Sequence, residues 1–212
     1  MIYYIYKLKK ICIYNMNINI FSIIIIFFIV IISYRLYRNS DLFQLKCIIS
    51  NVDGNEYCIR ERNKLHLASD LLANVNNNMK KVVNYCAKQY PDKECVSRLI
   101  KGYNPKKIME TLPTSKYTAY SQNKGEKLAF CLNAEKNNPH QLIDLNTLTF
   151  VALHELAHVA TKSVGHTSEF WNNFKFLLMQ AEKINVYKPI DYKNNPQNYC
   201  GMTITDNPYY DQ

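Results

Sequence analysis

Five consecutive residues in the last third of the chain have the types and spacing of a metal-binding catalytic motif. They are His154-Glu155-Leu156-Ala157-His158, within a run whose apolar residues recur every three to four positions, as in a helix. Residues four apart share a helix face, so His154 and His158 can bind one ion through their imidazole nitrogens. Glu155 projects beside them and can accept a proton from water bound to that ion. Zinc suits two imidazoles and lowers the pKa of bound water to about 7.

A catalytic zinc needs a third protein ligand, and the sequence offers one preferred residue and two alternatives. The chain has five histidines, of which three lie within 13 residues, the last being His166. Gly165 breaks the helix and allows the chain to turn, so that His166 can face the two motif histidines. Glu169 and Glu182 lie on the following helix, and a carboxylate from a downstream helix is another known solution. We predict His166 as the third ligand.

A tyrosine could stabilise the negative charge that develops on a substrate carbonyl oxygen, together with zinc. The candidates in the C-terminal segment are Tyr187, Tyr192 and Tyr199. The chain contains 17 tyrosines, so position alone does not select one of the three.

The elements that must position these residues combine long helices with short strands. Apolar periodicity predicts a helix over 62–89 and a shorter helix that ends near residue 101. Two strand-like runs follow, 117–120 and 127–132, and the residues between them indicate a hairpin turn.

Capping residues mark the beginnings of the two helices around the site. Asp144 or Asn146 can cap the helix that carries the motif, and Thr167 or Ser168 can cap the next. After that second helix we predict an ordered, irregular tail with a short strand near 202–205.

A strongly apolar segment precedes the domain. Residues 18–34 contain an uncharged, unbroken run at 23–32, and a spanning helix needs about 20 apolar residues. No small-residue cleavage site follows, so we predict a single-pass membrane anchor in the lipid bilayer rather than a cleaved signal peptide. The chain then divides into an N-terminal flank (1–17), the anchor (18–34), a polar stalk (35–60) and one domain (61–212).

The net charge of +9 belongs mostly to the flanks of the anchor. Residues 1–40 hold five basic and no acidic residues, which leaves a net charge of +4 for the rest. No dense Lys/Arg stripe occurs there, so we expect no specific nucleic-acid binding. Three lysines precede the anchor and two arginines follow it, which leaves the side of the domain undecided. Met16 is a second possible start, without those lysines.

The cysteines leave the redox state open. Cys12 precedes the anchor, and six more lie in the domain: Cys47, Cys58, Cys86, Cys95, Cys131 and Cys200. Six cysteines allow three disulfides in 15 pairings, and reduced core thiols are the alternative. The number favours an oxidising compartment, whereas the lack of an Asn-x-Ser/Thr sequon argues against a glycosylated lumenal domain.

The motif resembles a known group of enzymes once the residues after it are included. With Gly165-His166 and Phe170-Trp171, it resembles the signature of SprT-like, WLM and YgjP-type zincin metallopeptidases over about residues 117–187. Further segments are similar to WLM-like proteins of giant DNA viruses: Lys124-Gly125-Glu126-Lys127, Cys131-Leu132 and Tyr199-Cys200-Gly201.

The resemblance implies an α+β fold: a minimal zincin-like domain with helices packed on a small, mostly antiparallel sheet. It also implies that the strand before the site helix, 127–132, forms one wall of the cleft and pairs with an extended peptide.

Three functions follow as hypotheses. The first is a membrane-anchored zinc endopeptidase that acts on a protein or peptide, with Glu155 as general base. The second is a catalytically silent membrane or virion protein that zinc stabilises, although a structural site needs no general base. The third is a protease for nucleic-acid-bound proteins, which the modest charge of the domain disfavours.

Overall fold

A computed structural model of the protein describes three stretches of chain: 19–38, 45–135 and 141–211. The chain divides into two compact units, Met1–Ser40 and Asp41–Gln212, which we describe separately. The predicted flank 1–17 lies outside the described residues.

The first unit contains helix α1, Ile20–Arg38. Its segment Ile20–Tyr37 has a mean hydropathy of 2.4 over 18 residues. Among the described residues, it is the one helix that is long and apolar enough to cross a membrane, judged by length and composition.

The second unit contains a five-stranded sheet. Its strands are β1 (Leu45–Ile49), β2 (Glu56–Arg60), β3 (Ile108–Glu110), β4 (Ala119–Gln122) and β5 (Lys127–Phe130). They lie in the order β1-β2-β3-β5-β4, with β4 at one edge. The two outer pairings are antiparallel and the two inner ones are parallel. The predicted α+β class is confirmed, but the sheet is mixed rather than mostly antiparallel.

Part of the predicted stalk belongs to the domain. Residues 45–60 form β1 and β2, with the side chains of Tyr57 and Ile59 buried. β2 joins the sheet by pairing Cys58 with Met109 of β3. A polar local sequence concealed this strand because its pairing partner lies about fifty residues away.

Four helices pack on each other: α2 (Leu65–Gln89), α3 (Glu94–Gly102), α4 (Leu145–Ala160) and α5 (Ser168–Lys183). Of these, α2 and α4 also pack on the sheet. Helix α4, which carries the motif, packs against the other three and against β4. Its apolar side chains are therefore buried on almost every side, which fixes the orientation of the helix within the core.

The C-terminal tail is more regular than predicted. Strands β6 (Gln197–Tyr199) and β7 (Met202–Ile204) form a hairpin, and a short 3₁₀-helix follows at Pro208–Tyr210. A disulfide between Cys131 and Cys200 ties the hairpin turn to the end of β5.

Four of the six domain cysteines form disulfides. Cys47 and Cys58 lie opposite each other on β1 and β2 and are bonded, in addition to the bond of the hairpin. Cys86 and Cys95 are buried thiols. Burial raises the pKa of Cys86 to about 12, so its thiol stays protonated and unreactive at neutral pH. The domain thus combines both alternatives that the sequence left open.

Two glycines allow the turn between β4 and β5 to touch the helices. A Cβ atom on Gly125 would lie 2.6 Å from the carbonyl oxygen of Gly102 and 2.9 Å from Val159. Gly125 also has a φ of +103°, a conformation that side chains with a Cβ rarely adopt. The turn can therefore approach α3 and α4 only without a side chain at this position.

We expect Gly125→Ala to lower the free energy of unfolding by more than about 3 kcal/mol, since backbone strain and overlap with the backbone of Gly102 add. The matched control is Gly54→Ala, where φ is +69° and no atom lies within 4 Å of the added Cβ. It should cost about 1 kcal/mol from strain alone. Urea unfolding of both variants tests this expectation, and equal losses would contradict it.

Candidate metal centre

The site helix begins and ends at residues that satisfy its free backbone groups. Asp144 accepts a hydrogen bond from the backbone N–H of Thr147 at 2.9 Å, as predicted for the N-cap. At the other end, the hydroxyl of Thr161 donates to the carbonyl of Ala157 at 2.7 Å. The motif lies in the last two turns, so its histidines stand next to the turn 161–167 that joins α4 to α5.

Three histidines meet above this turn. The side chains of His154, His158 and His166 each offer a ring nitrogen, and these atoms all lie within 4.8 Å of one another. The Nε2 atoms of His154 and His166 are 3.1 Å apart. Two nitrogens on one tetrahedral zinc would be about 3.4 Å apart at the usual bond lengths. The donor set and its spacing therefore fit a zinc ion.

The charge state of these rings also suits a metal. Burial, together with the neighbouring histidine rings, lowers the pKa of His154 to about 3. Burial, His166 and the charge of Lys124 lower the pKa of His158 to about 4. Both rings are thus neutral at physiological pH and keep a lone pair, which is the form that binds metals.

An aromatic side chain from α5 supports all three rings. The buried ring of Phe170 has centroid distances of 4.9 Å to His154, 4.4 Å to His158 and 4.6 Å to His166. Trp171 packs against His166 at 5.5 Å. Helix α5 can present these rings because Thr167 caps it, accepting from the N–H of Phe170 at 3.4 Å.

A lysine from the β4–β5 turn holds the segment that carries His166. The Nζ atom of Lys124 donates to the carbonyls of His158 at 3.2 Å, Thr161 at 2.7 Å and Ser163 at 2.7 Å. These oxygens include unpaired acceptors at the end of α4. Lys124 has a φ of +56°. Sequence reasoning assigned Lys124 only to a turn, because its partners lie more than thirty residues away.

We expect Lys124→Met to weaken zinc binding by about 10- to 100-fold while the domain stays folded, because partners behind the ligands hold them in position. Lys106→Met is the control: Lys106 is exposed in the loop before β3, and its substitution should leave zinc binding unchanged. Competition with a fluorescent zinc chelator measures both. If Lys124→Met binds zinc within twofold of the wild-type affinity, Lys124 is not needed to hold the turn that carries His166.

The structure does not bring the two alternative ligands to the histidines. Glu169 forms an ion pair with Arg98 at 2.8 Å and accepts from the backbone N–H of Lys162 at 3.2 Å. Its role is to brace the turn, together with Arg98, which also donates to the carbonyl of Ala160 at 2.7 Å. Glu182 lies at the opposite end of α5, beside Asn146. The geometry therefore favours His166 as the third ligand.

Only one of the three candidate tyrosines lines the cleft. Tyr187 accepts a hydrogen bond from Asn207 at 3.0 Å, and Tyr192 packs against Phe150 at 4.9 Å, both within the core. Tyr199 lies beside Glu155. Its hydroxyl donates to the carbonyl of Thr118 at 3.2 Å. Burial raises its pKa, so the hydroxyl remains a neutral donor.

Glu155 is buried between the histidines and the edge strand. Its side chain is 5% exposed. Burial raises its pKa to about 8, and a hydrogen bond from the backbone N–H of Ser121 on β4 opposes this effect. A carboxylate that is poised near neutral pH can both accept and release a proton.

The strand that faces the cleft is β4 and not the predicted 127–132. β5 pairs with β3 on one side and with β4 on the other, so its backbone groups are occupied. β4 lies at the sheet edge, and Thr118 accepts from the backbone N–H of Cys131 at 2.7 Å. Backbone groups alternate in direction along a strand, so those of Ala119 point away from β5.

Two cavities meet at the motif. Both include Ala119, His154 and Glu155 in their walls. The cavity of about 530 Å³ is also lined by His158 and His166. The cavity of about 330 Å³ lies beyond Glu155, towards the C-terminal hairpin. Together they form a cleft in which the three histidines lie beside a buried carboxylate.

Comparison with known proteins identifies viral relatives. The chain is 30% identical over 170 residues to the uncharacterised protein R325 of Acanthamoeba polyphaga mimivirus, across 80% of this chain and 82% of the relative. It is 36% identical over 75 residues to protein 136R of Invertebrate iridescent virus 6, across 35% of this chain and 41% of that protein. The predicted likeness to viral proteins is confirmed. No protein-family model matches the chain.

Among solved structures, the chain is similar to the crystal structure of Wss1 from Saccharomyces cerevisiae. The TM-score is 0.45 at 17% identity, across 60% of this chain and 87% of Wss1. A likeness at this level does not establish a shared activity.

Proposed function

This chain belongs to the same family as the mimivirus protein R325, and we propose that its domain is a zinc-dependent peptidase. The observation that carries this proposal is that His154, His158 and His166 meet beside the buried carboxylate of Glu155 in one open cleft. A purely structural zinc site is closed by a fourth protein ligand. The described residues place no fourth cysteine, histidine or carboxylate with these three histidines.

His154, His158 and His166 would hold the zinc ion through their ring nitrogens. When bound, zinc lowers the pKa of coordinated water to about 7 and polarises a substrate carbonyl. Phe170 keeps the three rings together from below, and Lys124 holds the turn of His166 against the end of α4.

Glu155 acts as the proton carrier. It takes a proton from the attacking water, and it then gives that proton to the nitrogen of the leaving amine. Its burial raises the pKa and makes the carboxylate a stronger base for the first transfer, while the N–H of Ser121 holds the carboxylate in place. Tyr199 is the tyrosine closest to this chemistry, and its hydroxyl would have to leave the carbonyl of Thr118 to reach a substrate oxygen.

The edge strand β4 aligns the substrate. The backbone N–H and C=O of Ala119 point away from β5 and have the arrangement that an added strand requires. An extended peptide that pairs there passes beside His154 and Glu155, which line both cavities with Ala119. The substrate is therefore an extended or unfolded protein segment.

Helix α1 would anchor the domain to a bilayer. Its 18-residue apolar segment has about the length that a hydrocarbon core requires. We expect the full-length chain to remain in the membrane fraction after extraction at alkaline pH, and a chain without residues 1–40 to be released. Release of both chains from the membrane fraction would refute the anchor.

The test of the peptidase is hydrolysis by the full-length chain, purified in detergent, with an unfolded protein such as reduced casein as substrate. Cleavage should stop when zinc is removed with a chelator and return when one equivalent of zinc is added. Bound zinc without detectable cleavage would instead favour the catalytically silent structural protein.

A further inference from the structure

The cavity of about 330 Å³ beside Glu155 is distinct from the one that contains the histidine cluster. It opens at Ala119 and His154, and it extends between α4, α5 and the β6–β7 hairpin. It shares His154 and Glu155 with the other cavity, whereas His158 and His166 line only the other one.

The floor and walls of this cavity are apolar. The buried rings of Phe150 and Phe174, with centroids 5.2 Å apart, form the floor. Val151 contributes from α4, and Trp171, which is 44% exposed, contributes from α5. A cavity with such walls gains free energy by taking apolar surface out of water.

The remaining wall is the C-terminal hairpin, which is fixed to the segment after β5 in two ways. The disulfide of Cys200 holds it to the end of β5. The backbone N–H groups of Cys200 and Gly201 donate to the carbonyls of Asn133 at 3.0 Å and Ala134 at 3.1 Å. The side chains of Met202 and Ile204 on β7 also line the cavity. This wall is thus preformed and does not need a ligand to order it.

Apart from Glu155, no charge within the cavity competes with an apolar ligand. Besides Glu155, one acidic residue lines it within the described part of the chain: Asp206, which is exposed and pairs with Lys193 at 3.2 Å. It therefore stands at the rim, where its partner balances its charge.

We propose that this cavity binds one large apolar side chain of the substrate, such as leucine, methionine or phenylalanine, next to the bond that is cleaved. The inference rests on the proposed peptidase function and names its substrate class. A peptide paired with β4 passes Ala119 and Glu155, and both residues line this cavity. The side chain beside the scissile bond can therefore enter it.

The volume sets the size of the preferred side chain. About 330 Å³ is near the lower end of the range for ligand pockets, so it suits one bulky side chain rather than several. We expect peptides with leucine or phenylalanine at this position to be cleaved at least about tenfold faster, in kcat/KM, than peptides with alanine.

Trp171 provides a readout that does not require cleavage. It is the single tryptophan of the chain and lines this cavity, so its fluorescence reports on a ligand there. The zinc-loaded, full-length Glu155→Gln variant is titrated with tryptophan-free octapeptides that differ only in one central residue. Leucine and phenylalanine peptides should shift the fluorescence at lower concentrations than alanine or aspartate peptides.

Two substitutions change the wall without removing catalytic groups. Met202 is 49% exposed, so Met202→Glu should fold and should shift the preference towards lysine over leucine by about fivefold or more. Ile204→Phe fills the cavity and should shift the substrate preference towards peptides with alanine. Leu67→Glu is the control, because Leu67 is 53% exposed on α2 and lines neither cavity.

The two readouts separate this inference from the peptidase proposal. Equal cleavage of all peptides by the wild type, with no discrimination in the Trp171 titration, would overturn the apolar pocket and leave the peptidase standing. Discrimination by Trp171 fluorescence without cleavage by the wild type would support the pocket and refute the peptidase. The inference is supported if cleavage and Trp171 fluorescence show the same side-chain preference, and if Met202→Glu and Ile204→Phe both shift it.

Discussion

Glu155→Gln should lower kcat for peptide hydrolysis by about 10²- to 10⁴-fold, the usual contribution of a general acid–base residue. Glutamine has nearly the same shape but cannot take a proton from water. The three histidines remain, so zinc content should stay unchanged. Zinc content and cleavage of reduced casein by one preparation measure both quantities.

Glu182→Gln is the matched control for this experiment. It makes the same chemical change on α5, away from the histidine cluster. Both its zinc content and its activity should equal those of the wild type. A Glu155→Gln variant that keeps more than a tenth of the activity would show that the carboxylate is not the proton carrier. Loss of zinc in Glu182→Gln would indicate that Glu182 is a zinc ligand.

The second large effect concerns a buried carboxylate outside the histidine cluster. Glu110, at the end of β3, is fully buried. One carboxylate oxygen accepts from the backbone N–H of Arg60 at 2.7 Å, and the other forms an ion pair with Arg62. Burial raises the pKa of Glu110, while the guanidinium groups of Arg60 and Arg62 favour its charged form. Arg62 also donates to Asn133 at 2.7 Å, so the network joins β2, β3 and the end of β5.

We expect Glu110→Gln to lower the free energy of unfolding by about 3–5 kcal/mol, because it leaves the buried charge of Arg62 without its partner. Urea unfolding, followed by the fluorescence of Trp171, measures the loss. The control is Glu61→Gln, which breaks an exposed ion pair with Lys46 and should cost less than about 1 kcal/mol.

A double variant tests the mechanism behind this loss. Arg62→Met removes the unpaired charge, so Glu110→Gln combined with Arg62→Met should be less destabilised than the sum of the two single variants. Additive losses would mean that Glu110 acts through Arg60, by its backbone N–H and its guanidinium, and not through Arg62.

The helices and the motif could be predicted because their signals are local. The apolar stripe of α2, the caps Asp144 and Thr167, and the spacing of the motif histidines all act within one or two helical turns. The turn at Gly165 was also visible, since glycine permits the φ of +85° that the chain adopts there.

The parts that sequence reasoning missed depend on distant residues. Strand β2 pairs with a strand about fifty residues later, and the choice of β4 over β5 as the open edge depends on the strand order. The pairing of Cys131 with Cys200 spans 69 residues. The network of Arg60, Arg62, Glu110 and Asn133 likewise needs three separate segments to meet, so no local pattern revealed it.

The most direct test of the account is the zinc content of the purified full-length chain, measured by mass spectrometry for the wild type and two histidine variants. We predict one zinc per chain in the wild type and in His66→Ala, because His66 lies outside the cluster. His166→Ala should lose the zinc. A wild type without zinc, or a His166→Ala variant that keeps a full equivalent, would contradict a zinc site made of His154, His158 and His166.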